Sequence, residues 1–141
     1  MSARTLTTAA KVENLEEVIG FVEECADRCA LDAKRKFGLL VAVEEAFVNV
    51  CHYAYPGGDG DVGLFCGCGT DAFEVEITDG GVPFDILKLP DPDTTSDIME
   101  REIGGLGVHF IRKLTDDVSY RRENDRNILR IALRHYEDRG P

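Results

Sequence analysis

The chain opens on a polar stretch with one large apolar residue, Leu6, and the segment from Arg4 to Ala9 is expected to form a short strand. Apolar residues then recur every three or four positions: Leu15, Val18, Ile19, Val22 and Cys25/Ala26, up to about Cys29. That is the period of a helix with one buried face. Asn14 followed by Glu17 predicts a capping box at its start. Asp32 has the short acceptor side chain of an N-cap and opens a longer helix to about Tyr53, closed by the turn Pro56-Gly57-Gly58. On this helix Phe37, Leu40/Val41, Val48 and Cys51 are expected to form the core stripe.

Two strand-like runs follow, 61–68 and 72–78, separated by Gly69-Thr70-Asp71. In the second, Phe73, Val75 and Ile77 alternate with Glu74, Glu76 and Thr78, as a strand with one wet face requires. Periodicity fades between Gly80 and Gly107, a length of loop that is usually functional in a compact domain. A helix is expected over 107–114, then a hairpin of 118–122 and 128–133 around Asn124-Asp125. The order β, α, α, β, β, loop, α, β, β predicts an α/β (α+β) two-layer sandwich: a mixed sheet with helices on one face.

Composition fits one soluble domain spanning 1–141: 43% of residues are hydrophobic and 30% charged. A net charge of −11 argues against direct nucleic-acid binding and against anionic membrane surfaces. The longest apolar run, 39–43, is far short of the roughly 20 residues that span a bilayer. With no signal-peptide core at the N-terminus, the chain reads as cytoplasmic. Its five cysteines (25, 29, 51, 66 and 68) are expected to be core thiols, with a metal or redox site the alternative, since no histidine lies near the pairs 25/29 and 66/68 in sequence to complete a metal set.

Three short patterns carry chemistry. On the long helix, Glu45 and Asn49 are four residues apart and project into one space, with small residues Gly38 and Ala42 on the preceding turns leaving room. The carboxylate suits a general base, and the amide oxygen is a hard ligand for Mg2+. Asp79-Gly80-Gly81-Val82-Pro83-Phe84 ends a strand, where Asp79 can accept a hydrogen bond from an adenine amino group and the glycines admit a flat base. Gly104-Gly105-Leu106-Gly107 opens a helix, a place where backbone N–H groups and the helix dipole cradle phosphate. Each pattern alone also fits an ordinary polar face, a turn or a loop.

Together, in this order, VEEAFVNV, YAYPGG, ITDGGVPFD and GGLGVHFIRKLTDD resemble the GHKL (Bergerat-fold) ATPases, most closely the anti-sigma serine kinases of the RsbW and SpoIIAB type. The resemblance runs from about Leu6 to Leu133. It implies that Glu45 is the catalytic base, Asn49 the Mg2+ ligand and Asp79 the adenine acceptor. Gly81 would shape the base pocket, Gly104, Gly105, Leu106 and Gly107 would hold the phosphates of ATP, and 85–103 would be the ATP lid. It further implies γ-phosphoryl transfer to a serine of an anti-anti-sigma (STAS-type) partner, sequestration of a sigma factor, and a homodimer formed through the N-terminal strand, whose edge has no strand neighbour in sequence. Three positions depart from the family pattern. Tyr53 stands where a histidine is usual, with His52 one place early. Ile103 precedes the glycine pair instead of arginine, leaving Arg101 the nearest, and Arg126-Asn127 replaces a Gly-Thr pair. These departures bear on transfer more than on binding, so an ATP-dependent sequestering module without transfer chemistry is the alternative.

Overall fold

The structure is a computed structural model that describes residues 3–88 and 111–135. Strand β1 (Ala3–Ala9) leads through a 3-10 turn into helices α1 (Leu15–Arg28) and α2 (Ala33–Tyr53). Strands β2 (Asp61–Cys68) and β3 (Ala72–Asp79) follow, and β4 (Asp117–Glu123) and β5 (Arg126–Arg134) close the described chain. Residues 111–114 are helical.

The five described strands form one sheet in the order β1-β2-β3-β5-β4, and every neighbouring pair is antiparallel. This corrects the expected mixed sheet. The two helices between β1 and β2 run out and back, so β2 returns against β1. Strands β3 and β4 do point the same way, but β5 lies between them and opposes both. The N-terminal strand therefore has its neighbour within the chain, from Ala3↔Gly67 to Ala9↔Asp61. That removes the unpaired-strand argument for a dimer and leaves β1 at the edge of the sheet, with one side open among the described residues.

The register aligns residues into rows across the inner face. Leu6, Leu64, Ile77, Leu129 and Tyr120 make one row, and Cys66, Val75, Ile131 and Val118 the next. Helices α1 and α2 cover these rows with Val18, Val22, Leu39, Val43 and Phe47, all fully buried. The outer face is polar, with Glu74 ion-paired to Arg130 at 2.9 Å and Glu76 near Arg121 at 3.7 Å.

Three local expectations are corrected. The α2 core stripe is Leu39, Ala42/Val43 and Ala46/Phe47, while Phe37 is 69% exposed. The helix carries apolar residues on more than one side, so its period does not select a single stripe. Asp32 caps α2 as expected, accepting from the Arg35 N–H at 2.8 Å. Asn14 makes no capping box; its amide instead reaches back to the Ala9 carbonyl at 3.0 Å and fixes the strand-to-helix corner. The room at Gly38 is occupied, because a Cβ there would lie 3.2 Å from the Cβ of Leu114. Small residues on α2 admit the 111–114 segment and leave no gap beside it.

The cysteines also differ from expectation. Cys29 and Cys68 form a disulfide that ties the end of α1 to the end of β2. Cys25 and Cys66 lie one step deeper as buried thiols in contact, and burial pushes the Cys66 thiol far above its ordinary range. Cys51, partly buried on α2, is pushed up to about 11 by the same cause. Among the described residues no helix is long and apolar enough to cross a membrane.

Candidate functional site

The row Val62, Asp79, Asn127, Arg122 turns polar at the C-terminal end of β3. Asp79 is the last residue of that strand and only 3% exposed, so its carboxylate must find partners within the protein. One oxygen, Oδ1, accepts from the Gly81 N–H at 2.9 Å and from the Asn127 amide at 2.8 Å. Among the described residues no donor meets the other oxygen, Oδ2.

Asn127, the second residue of β5, is 4% exposed and holds the whole corner. Its Nδ2 also donates to the Val82 carbonyl at 2.8 Å. Its Oδ1 accepts from the Tyr120 hydroxyl at 2.5 Å, the Arg122 guanidinium at 3.1 Å and the Phe84 N–H at 3.2 Å. Arg122 in turn donates to the Gly81 carbonyl at 2.8 Å. One amide thus fixes the 79–84 loop to the β4–β5 hairpin, whose two-residue turn, Asn124-Asp125, has the positive φ values of 54° and 63° that such tight turns use.

The same loop docks on the end of α2. The Val82 N–H donates to the Ala54 carbonyl at 2.8 Å, and a Cβ on Gly81 would sit 2.0 Å from that oxygen. The room that Gly81 leaves is therefore taken by the helix end, and Gly81 does not line the pocket beside it. Gly80 is held differently, its N–H donating to the Tyr55 hydroxyl at 2.8 Å, which donates on to the Asp61 carbonyl at 2.6 Å.

Against this corner lies a pocket between α2, the sheet and the 79–84 loop. Its apolar walls include Ala46 and Val50 from α2, Ile77 and Leu129 from the sheet, and Phe84 and Ile86 from the loop. Its polar groups are Asn49, Asp79, Tyr120 and Asn127. Phe84 stacks on Tyr53 with ring centroids 5.0 Å apart, so the residue in the histidine position braces the pocket wall. Flat apolar walls with a few converging polar groups suit a small heteroaromatic ligand.

Asn49 faces this pocket from α2. Its Nδ2 is spent on the Glu45 carbonyl one turn back, at 2.7 Å, which leaves Oδ1 without a partner among the described residues. An oriented, unspent amide oxygen is a hard ligand that Mg2+ accepts. Glu45 stands one turn back along the helix, half-buried and outside the pocket lining. Burial, and then the neighbouring charge of Glu44, raises its carboxyl above the ordinary value. The structure thus brings Asp79 and Asn49 together and sets Glu45 adjacent. Gly104, Gly105, Leu106, Gly107, Ile103 and most of the expected lid lie outside the described residues; of the lid, Ile86–Lys88 forms a short 3-10 turn with Ile86 buried.

The family model of the histidine kinase-like ATPase domain matches residues 8–133. The chain belongs to this family. It is similar to curated relatives named serine-protein kinase RsbW. Those from Bacillus cereus strains AH187 and ATCC 10987 are 27% identical over 95 residues, and one from Bacillus thuringiensis strain Al Hakam is 26% identical over the same length. The match takes in 64% of this chain and 59% of each relative, so the chain spans less than two thirds of the length of these kinases. The α/β fold expected from the sequence, helices packed against a sheet, agrees with membership of the histidine kinase-like ATPase domains.

Asn127 is the site residue that sequence reasoning missed, having registered it only as a departure from a family pair. Its signal was present: Asn127 heads the inward series Leu129, Ile131, Leu133, where a polar side chain must be buried. Tyr120 and Arg122 carry no such signal, because the β4 pattern alone does not reveal what their tips reach.

Proposed function

We propose that this domain binds Mg-ATP in the pocket between α2 and the 79–84 loop and transfers the γ-phosphoryl group to a serine of a small partner protein. The observation that carries the reading is the buried Asp79 carboxylate. One of its oxygens is fixed by Gly81 and Asn127, while the other has no donor among the described residues. The exocyclic amine of adenine supplies the missing donor, and Tyr120, Phe84 and Ile77 give the flat base apolar walls. Asn49 is the residue that would hold Mg2+, which commonly takes only one or two protein oxygens beside those of phosphate. Bound there, the ion would neutralise phosphate charge during transfer.

On this reading Glu45 accepts the proton of the attacking serine hydroxyl or holds that hydroxyl in line, its raised proton affinity bringing it closer to working pH. Gly104–Gly107 would meet the phosphates through backbone N–H groups at the start of the helix that the sequence predicts over 107–114. The names of the relatives support a protein serine as acceptor. The fuller account is an anti-anti-sigma partner of STAS type, release of a sigma factor by partner switching in the cytoplasm, and pairing of two chains along the open side of β1.

Incubation with γ-labelled ATP, Mg2+ and a candidate STAS-type partner tests transfer. Label on the wild-type partner, absent when its acceptor serine is alanine, supports the kinase reading. Nucleotide-dependent complex formation without label favours the sequestering module.

A further inference from the structure

At the far end of the sheet from Asp79, three residues from three elements converge. Cys29 follows α1, Cys68 ends β2 and His135 follows β5. Their sulfurs and a ring nitrogen all lie within 4.8 Å of one another. We propose that Cys29, Cys68 and His135 form a redox-gated site for a soft divalent cation, Zn2+ above all, closed as a disulfide and open to metal once the two thiols are reduced.

The geometry needs little change to accept the ion. Tetrahedral Zn2+ holds sulfur at about 2.3 Å and nitrogen at about 2.0 Å, which sets the ligand atoms roughly 3.5–3.8 Å apart. The two cysteine Cα atoms, 5.6 Å apart, are already close enough for a shared ion. His135 also makes the second hydrogen bond that metal-bound histidines commonly make. Its Nε2 lies 2.9 Å from the Gly69 carbonyl, which can only accept, so in the neutral ring Nε2 carries the proton and Nδ1 the lone pair. The His135 backbone N–H donates to the Asp71 carbonyl at 2.9 Å, fixing the residue against the β2–β3 turn. All three ligand residues are half-buried, open enough for reductant and ion to enter. Three protein ligands leave a fourth tetrahedral position for water.

The gating step balances. A dithiol reductant gives up two electrons and two protons, becoming a cyclic disulfide, and the Cys29–Cys68 bond becomes two thiols. Binding Zn2+ then releases both thiol protons and joins the two thiolates and the neutral imidazole to the ion. Reducing cytosol keeps most protein thiols unpaired, so there the metal form would replace the disulfide as the clamp between α1, β2 and β5. Six residue steps along β3, about 20 Å, separate this end of the sheet from Asp79, so the clamp shares no residue with the nucleotide pocket.

Cobalt titration tests the site. Protein reduced with a thiol-free phosphine, then freed of reductant, should take up one Co2+ with a near-ultraviolet thiolate-to-cobalt band that Zn2+ abolishes. Oxidised protein should show no band, Cys29→Ser and Cys68→Ser should lose it, and His135→Ala should bind at least tenfold more weakly. Absence of the band in reduced wild type, or its survival unchanged in Cys68→Ser or His135→Ala, would overturn the proposal. If a cysteine variant misfolds, the oxidised and reduced wild type and His135→Ala still decide. Neither outcome bears on ATP binding.

Discussion

Asn127 and Asp79 face each other across the β3–β5 pairing, and the Asn127 amide donates to Asp79 Oδ1 at 2.8 Å. Because Gly81 donates to the same oxygen, Asp79 is held with one oxygen spent, beside the pocket that it lines. The acidic group proposed to read the ligand is thus oriented by a neighbour that makes five hydrogen bonds of its own.

Replacing Asn127 by leucine keeps the volume and removes every one of those bonds. The Tyr120 hydroxyl, the Phe84 N–H and the Val82 carbonyl lose a partner in a buried corner. Stability is expected to fall by about 2–4 kcal/mol, read from urea unfolding, with ATP affinity falling as well. A loss under about 0.5 kcal/mol, the range of ordinary surface changes, would contradict the bracing role.

Gly81 and Gly80 make a matched pair. A Cβ at Gly81 would lie 2.0 Å from the Ala54 carbonyl oxygen, a backbone atom that cannot swing away, whereas at Gly80 the nearest atom, the Tyr55 hydroxyl, is 3.9 Å away. Gly81→Ala is expected to cost about 1–3 kcal/mol as overpacking, with Gly80→Ala close to wild type. Equal melting temperatures for the two variants would refute the steric account.

Much of this was legible in the sequence for physical reasons. The strands and helices follow from clear periodicity, the Asp32 cap from a short acceptor before a helix, and the final hairpin from Asn124-Asp125. What sequence could not supply was pairing. Helices between strands suggested parallel neighbours, but insertion of β5 between β3 and β4 is a long-range choice that no local pattern records. The disulfide was missed for the same reason, since Cys29 and Cys68 are 39 residues apart and His135 further still. That Asp79 and Asn49 come to line one pocket could be anticipated because strand end and helix face are local properties. The face of α2 was misjudged at Phe37 because apolar residues surround that helix.

Glu45 gives a pH prediction with a definite sign. Its carboxyl is raised by burial first and by Glu44 second, so the folded protein holds that proton more tightly than the unfolded chain. Its contribution to stability is therefore full below the ordinary carboxylate value and lost as pH rises through the raised one. Transfer, which needs the ionised form, should rise over the same window. Glu44→Gln removes a like charge and should move the acidic limb of the rate profile to lower pH; a limb that moves up or stays would contradict the coupling. Glu45→Ala should abolish transfer and spare nucleotide binding, since affinity rests on other groups.

Calorimetric titration of the wild type with ATP and with GTP, each with Mg2+, asks whether Asp79 reads an adenine amine. Guanine presents a carbonyl where adenine presents the amine, so its acceptor would face the carboxylate and a buried polar contact would be lost. ATP should bind at least tenfold more tightly than GTP, about 1.4 kcal/mol or more, and Asp79→Asn should lose at least that factor for ATP. Equal affinities of the wild type for ATP and GTP would contradict this role of Asp79.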